Sequence, residues 1–270
     1  MLSKIRGWLV PAPVPSHNVV TDNGQRRAIV VEVVIVFAIT LGLSALRSLL
    51  SLVEALLRAG ALSDQQVALN RPQAEIGTID LLMQVLGAGQ LIAWGALGLY
   101  LLWRAGFKLP EIGLPLRIGG RDVGIGVGLT ALIGIPGLVL YLISWRLGLS
   151  VAVVPSLLDE TWWRPVTLTL SAFGNAFAEE VLLVGFLLTR LRQLGLSANS
   201  SLLISSLLRG AYHLYQGAAG FFGNIVMGLI FGRVWQRTNR LWPLVLAHTL
   251  LDFIAFVGYA LLKPLLPWLP

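Results

Sequence analysis

The chain has 270 residues, 56% of them hydrophobic and only 12% charged, with a mean hydropathy of +0.78. A soluble domain carries about 25% charged residues, so this composition excludes one and points to a polytopic membrane protein. Cysteine is absent, which excludes disulfides, thiolate nucleophiles and Cys metal ligands; the formal charge of +7 is spread along connecting segments, not gathered into the stripe that nucleic-acid binding requires.

Residues 1–27 hold Lys4, Arg6, Arg26 and Arg27 around Pro11, Pro13 and Pro15 and lack a signal-peptide core with a small-residue cleavage site. They are expected to form a cytosolic N-terminal segment. Taking about 20 apolar residues per crossing, about seven spans are expected, near 28–50, 79–103, 122–146, 167–189, 198–216, 219–236 and 241–262. Gly124 and Gly128 in the third span, and Gly228 and Gly232 in the sixth, stand at GxxxG spacing and are expected to let helices pack closely. The stretch 151–166, with Pro155, Asp159, Glu160 and Arg164, is too polar to cross, and its Trp162 and Trp163 suit an interface.

The fourth span places Ser171, Asn175 and Glu179 at i, i+4 and i+8, on one helix face, with Glu180 rotated by about 100° to the next. The fifth span repeats the spacing with Ser205, Arg209 and His213, with Gln216 on nearly the same side. Asn224 in the sixth reads as an interhelical hydrogen-bonder. The seventh carries His248 and Asp252 one turn apart, so that both side chains can enter one cavity. Glu179, Glu180, Arg209 and Asp252 together cost on the order of 10 kcal/mol to insert before pairing. A functional site is the default explanation for charge at that depth.

Cytoplasmic loops hold an excess of Lys and Arg. With the N-terminus inside, the inner segments collect thirteen: Lys4, Arg6, Arg26, Arg27, Arg104, Lys108, Arg117, Arg121, Arg190, Arg192, Arg233, Arg237 and Arg240. The outer segments collect five: Arg58, Arg71, Arg146, Arg164 and Lys263, while Arg47 and Arg209 fall within spans. A multi-pass protein of the cell membrane with a cytoplasmic N-terminus is the expectation, without nucleic acid among its partners. No internal repeat marks a secondary transporter.

Two His and a carboxylate can hold a hydrolytic zinc ion with an open position for water; equally, a carboxylate beside a neutral His can activate water without metal. The residues alone leave both open, so the cofactor is either none or Zn2+, with Glu179, His213 and His248 as the metal ligands in the second case.

The runs Ala178-Glu179-Glu180-Val181-Leu182-Leu183-Val184-Gly185-Phe186, Tyr212-His213-Leu214-Tyr215-Gln216-Gly217 and Ala247-His248-Thr249-Leu250-Leu251-Asp252 resemble the three motifs of the CAAX-protease and bacteriocin-processing (CPBP) family of intramembrane endopeptidases. The resemblance covers roughly residues 165–258. It implies an all-α polytopic transmembrane helical bundle with a CAAX-protease-like core: residues 28–150 as N-terminal transmembrane helices and 151–270 as the catalytic helical core, in one membrane domain. It further implies that Glu179 and His213 prepare the attacking water and that His248 with Asp252 polarises the scissile carbonyl or binds metal, with Glu180 part of the catalytic set. Asn175 and Arg209 are supporting residues.

The family usually has Arg five residues after the first Glu and Phe four before the first His, where this chain has Val184 and Arg209. Arg209 is therefore expected to supply the missing cation to Glu180. The implied activity is hydrolysis of a peptide bond in a peptide or protein substrate at the lipid bilayer, CAAX-type or bacteriocin-related. The alternatives are a non-catalytic scaffold or immunity protein on the same fold, and a proton-coupled transporter.

Overall fold

The computed structural model describes residues 19–259. Lys4, Arg6, Pro11, Pro13, Pro15, Lys263 and the end of the last expected span lie outside the described residues. The helices are α1 (Asn23–Ile39), α2 (Leu41–Leu57), α3 (Gly77–Arg104), α4 (Gly120–Arg146), α5 (Arg164–Gln193), α6 (Ala198–Ala211), α7 (Ala218–Thr238) and α8 (Trp242–Gly258). The chain is an all-α membrane bundle. By length and composition, four of its described helices can cross a membrane, namely α3, α4, α5 and α7, or up to five spans if α1 and α2 are one bent crossing.

Among the described residues that is fewer than the seven expected, and two of the expected runs differ for local reasons. The first apolar run breaks at Thr40, whose hydroxyl donates to the Val36 carbonyl at 2.7 Å, and α1 and α2 diverge by 49°. A Cβ on Gly42 would lie 2.5 Å from the Phe37 carbonyl oxygen, so only glycine fits this bend. The run at 198–216 forms a helix of just 14 residues, about 21 Å long, before a 3-10 turn at Leu214–Gln216 and Gly217, with φ of 87°, redirect the chain. Hydropathy counts residues and does not see that turn.

Alternate ends of the bundle have distinct characters. At one end, Leu241 N donates to Gly113 O at 2.8 Å, Trp235 Nε1 to Ile112 O at 3.0 Å, and Val20 N to Gln193 O at 2.9 Å. Arg240 there pairs with the buried Asp122 at the start of α4. At the other end, two short strands that hydropathy did not reveal, β1 (Gln66–Asn70) and β2 (Ala152–Ser156), pair in parallel, with Gln66 opposite Ala152 and Asn70 opposite Ser156. Ser150 bridges to Gly217, and Trp145 Nε1 donates to Ser63 O at 3.3 Å. The Trp pair beside β2 splits: Trp162 is 83% exposed, whereas Trp163 is 6% exposed and packs with Leu158, Leu168 and Phe256.

α5 runs through the middle. Gly95 of α3 lies where a Cβ would meet the Phe177 ring at 2.7 Å, and a Cβ on Gly174 would meet Ala88 O at 3.1 Å, so glycines on both helices let α3 and α5 approach closely. Gly228 and Gly232 pack α7 on Ser206 and Leu202 of α6, as their spacing implies. Gly124 and Gly128 differ: among the described residues a Cβ on either would meet no other helix within 4 Å, and it is Gly126, between them, that packs on Pro243 and Leu246 of α8. Asn224 also differs from expectation, donating to Gly220 O of its own helix at 2.9 Å. Immediately after Glu179, residues Glu180–Leu187 form a π-helical stretch, all eight buried. Such wide turns occur frequently at functional sites.

Candidate active site

α5 supplies both acids, α6 and the turn after it supply Arg209, Tyr212 and His213, and α8 supplies His248 and Asp252. Arg209 is a buried fork between the acids: Nη2 lies 2.8 Å from Glu180 Oε1, and Nη1 lies 3.5 Å from Glu179 Oε2. Its flat face lies 6.0 Å from the centre of the Phe231 ring. A guanidinium presents donors in a planar fork, which is why one side chain can meet two carboxylates from neighbouring helix faces.

His248 enters from α8. Its Nδ1 lies 2.8 Å from Glu180 Oε1, and a carboxylate accepts, so Nδ1 carries the proton. Its Nε2 faces Glu179 Oε2 at 4.0 Å and Asp252 Oδ1 at 3.8 Å, beyond hydrogen-bonding distance of either. The ring is thus oriented by Glu180. Asp252, expected to act with His248, lies 3.8 Å from its Nε2 and is held by Asn175, whose Nδ2 donates to Asp252 Oδ2 at 2.9 Å. Farther along the same stripe, Ser171 Oγ meets Asn70 Oδ1 at 3.4 Å.

His213 sits at the end of α6. Its Nδ1 lies 3.0 Å from the Arg209 carbonyl, which can only accept, so Nδ1–H donates and Nε2 keeps its lone pair. Among the described residues no hydrogen bond joins His213 directly to Glu179. The link is Tyr212, which sequence reasoning missed. Its hydroxyl donates to Glu179 Oε2, and its ring packs on His213 with centroids 4.6 Å apart. Arg209, Tyr212 and His213 stand at i, i+3 and i+4, so the signal was present in the spacing. It was passed over because tyrosine counts as apolar in a hydropathy reading.

The acids, Arg209, Tyr212 and His248 therefore make one contiguous cluster, with Asn175 and Asp252 attached on one side and His213 on the other. A family model described as type II CAAX prenyl endopeptidase Rce1-like matches residues 161–254, from just before α5 into α8. The match spans a little over a third of the chain. The matched stretch is consistent with the CPBP family and holds every residue of the cluster. No curated protein and no solved structure matches the chain.

A Zn2+ ion would draw on Glu179, His213 and His248. Among the described residues no three His, Asp or Glu side chains are grouped so as to hold a metal ion. His248 Nδ1 lies on Glu180, His213 Nδ1 on a carbonyl and Glu179 Oε2 on Tyr212, which leaves the two Nε2 atoms as the nitrogens a metal would use.

Proposed function

We propose that the Rce1-like domain is an intramembrane endopeptidase that hydrolyses a peptide bond of a membrane-associated substrate, with Glu179 as general base. One observation carries the reading. Arg209 and His248 both bind Glu180, which secures that acid as a fixed anion, while Glu179 meets the same guanidinium only at 3.5 Å and faces the unengaged Nε2 of His248. Two adjacent carboxylates in different surroundings take different roles.

Glu179 removes a proton from a water whose other hydrogen is accepted by His213 Nε2. The hydroxide adds to the scissile carbonyl carbon, and a proton on His248 Nε2 meets the oxyanion. As the tetrahedral species collapses, the C–N bond breaks and Glu179 returns its proton to the departing nitrogen. One water is consumed, a carboxylic acid and an amine leave, and no acyl-enzyme forms. Asp252, fixed by Asn175, stands on the Nε2 side of His248 and favours a proton there. Glu180 and Arg209 position His248.

The test is mass spectrometry of membrane-associated peptides from cells carrying the wild type and the Glu179→Gln protein. Peptide termini that disappear in the variant, with the bundle still assembled, identify the substrate. Identical termini from both would refute the proposal.

A further inference from the structure

The polar cluster is unevenly shielded, and the gradient has one direction. Side-chain exposure is 0% at Glu180, 1% at Arg209, 4% at Glu179, 5% at His248 and 18% at Asp252. Along α8 the step from His248 to Asp252 leads away from Arg240. Along α5 the path from Glu180 through Glu179 to the half-buried Asn175 and Ser171 leads away from Arg190 and Arg192. Along α6 the path from Arg209 to the half-buried His213 leads away from the α5–α6 connection. Three helices, two running one way and one the other, agree that access lies toward β1 and β2.

The strand end is also where the polar chain leaving the site goes. Ser171 meets Asn70 of β1, and Gly217, four residues past His213, bridges to Ser150 beside β2. The opposite end gathers Arg104, Lys108, Arg117, Arg121, Arg237 and Arg240 on connected segments, against Arg58, Arg71, Arg146 and Arg164 at the strand end. An excess of Lys and Arg in short loops marks the cytoplasmic side.

We infer that the site is entered from the strand end and that this end faces away from the cytoplasm. The substrate is accordingly a peptide segment presented on the extracytoplasmic side, such as an exported peptide or the outer flank of a membrane segment, and not a cytosolic prenylated C-terminus. The inference about the substrate rests on the peptidase reading; the inference about access does not.

The chain has no cysteine, so single introduced cysteines report access directly. The full-length protein is prepared with Ser171→Cys at the strand side of the site, Gln216→Cys in the turn after His213 as a second position, Arg71→Cys at the strand end and Lys108→Cys at the basic end. Intact cells are treated with a membrane-impermeant maleimide, and labelling is compared after lysis. Expected are labelling of Arg71→Cys and of at least one of Ser171→Cys and Gln216→Cys in intact cells, at least fivefold above Lys108→Cys, which labels only on lysis. Labelling of both site positions only after lysis, failure of both to label while Arg71→Cys reacts, or reaction of Lys108→Cys in intact cells would each overturn the inference. Peptides from culture medium and from cytosol, compared between wild type and Glu179→Gln, complete the test. Glu179-dependent termini in the medium support the substrate assignment, whereas such termini confined to the cytosol refute it. Absence of such termini from both fractions, with strand-end labelling intact, removes the peptidase reading and leaves the direction of access standing.

Discussion

Two buried arginines, Arg190 and Arg209, occupy very different company. Arg190 on α5 binds Glu32 of α1, the Leu101 carbonyl of α3 and Gln193, and lies over Phe186 with its carbon 5.6 Å from the ring centre. One cation meets one acid, and that acid is partly exposed, so the group ties three helices together and is electrically complete. Arg209 faces two acids, with His248 and a third carboxylate beyond them. The guanidinium is the same; what differs is the surplus of acid around it, and only a surplus leaves a carboxylate available for proton transfer.

The sharpest way to break this contrast is to remove the available carboxylate. Glu179→Gln is expected to lower peptide cleavage by about 100- to 10,000-fold, the range for a general base, with the purified protein eluting as before in size-exclusion chromatography. Next come the two cations. Arg209→Ala leaves Glu180 buried without its cation and is expected to cost about 3 to 5 kcal/mol in stability and all measurable activity. Arg190→Ala, whose acid partner reaches solvent, is expected to cost about 1 to 3 kcal/mol while the folded fraction keeps its turnover. Equal losses of turnover per folded molecule in the two variants would erase the distinction.

Tyr212→Phe keeps the ring on His213 and removes one hydrogen bond to a carboxylate. A fall in kcat of about 10- to 100-fold with KM unchanged is expected, since hydrogen bonds to charged groups contribute about 1.5 to 3 kcal/mol. A smaller recovery is expected when Val184→Arg is added to Arg209→Ala. It returns a cation one turn after Glu180, but Val184 is fully packed in the core, and the longer side chain must displace its neighbours. Activity that stays at zero in the double variant counts against exchange of the two positions. The smallest effect is expected from chelation: treatment with 1,10-phenanthroline should leave turnover within twofold, consistent with the absence of a metal-holding group among the described residues.

Much of the site was legible because burying charge is so costly that each intramembrane acid, Arg or His announces itself, and helical spacing then groups them by face. That Arg209 reaches Glu180 was expected instead from the resemblance, in which Val184 stands where a cation is usual. The pairing of Glu180 with His248 followed from neither, because it depends on how α5 and α8 are turned toward each other, which spacing within one helix does not contain. Asp252 was paired with His248 through the resemblance; it does lie 3.8 Å from His248 Nε2, while its other oxygen is held by Asn175 on another helix, which spacing within α8 does not contain. The spans were legible as apolar runs and their ends were not: the bend at Thr40, the 3-10 turn after His213 and the two strands are set by single hydrogen bonds and short segments that leave average hydropathy unchanged.

The wide turn over Glu180–Leu187 has a mechanical meaning. Asn175 and Glu179 must look toward α8, while Arg190, on the same rod, must look toward Glu32 of α1. A uniform α-helix would lock the angle between those two directions to its 100° step per residue. Widening the coil between them lets each half take its own bearing, in the manner of a slipping collar on a shaft. Shortening that collar by one residue would therefore turn the distal half away from its anchor while Glu179 stays aimed, and the bundle would loosen at the end remote from the two strands.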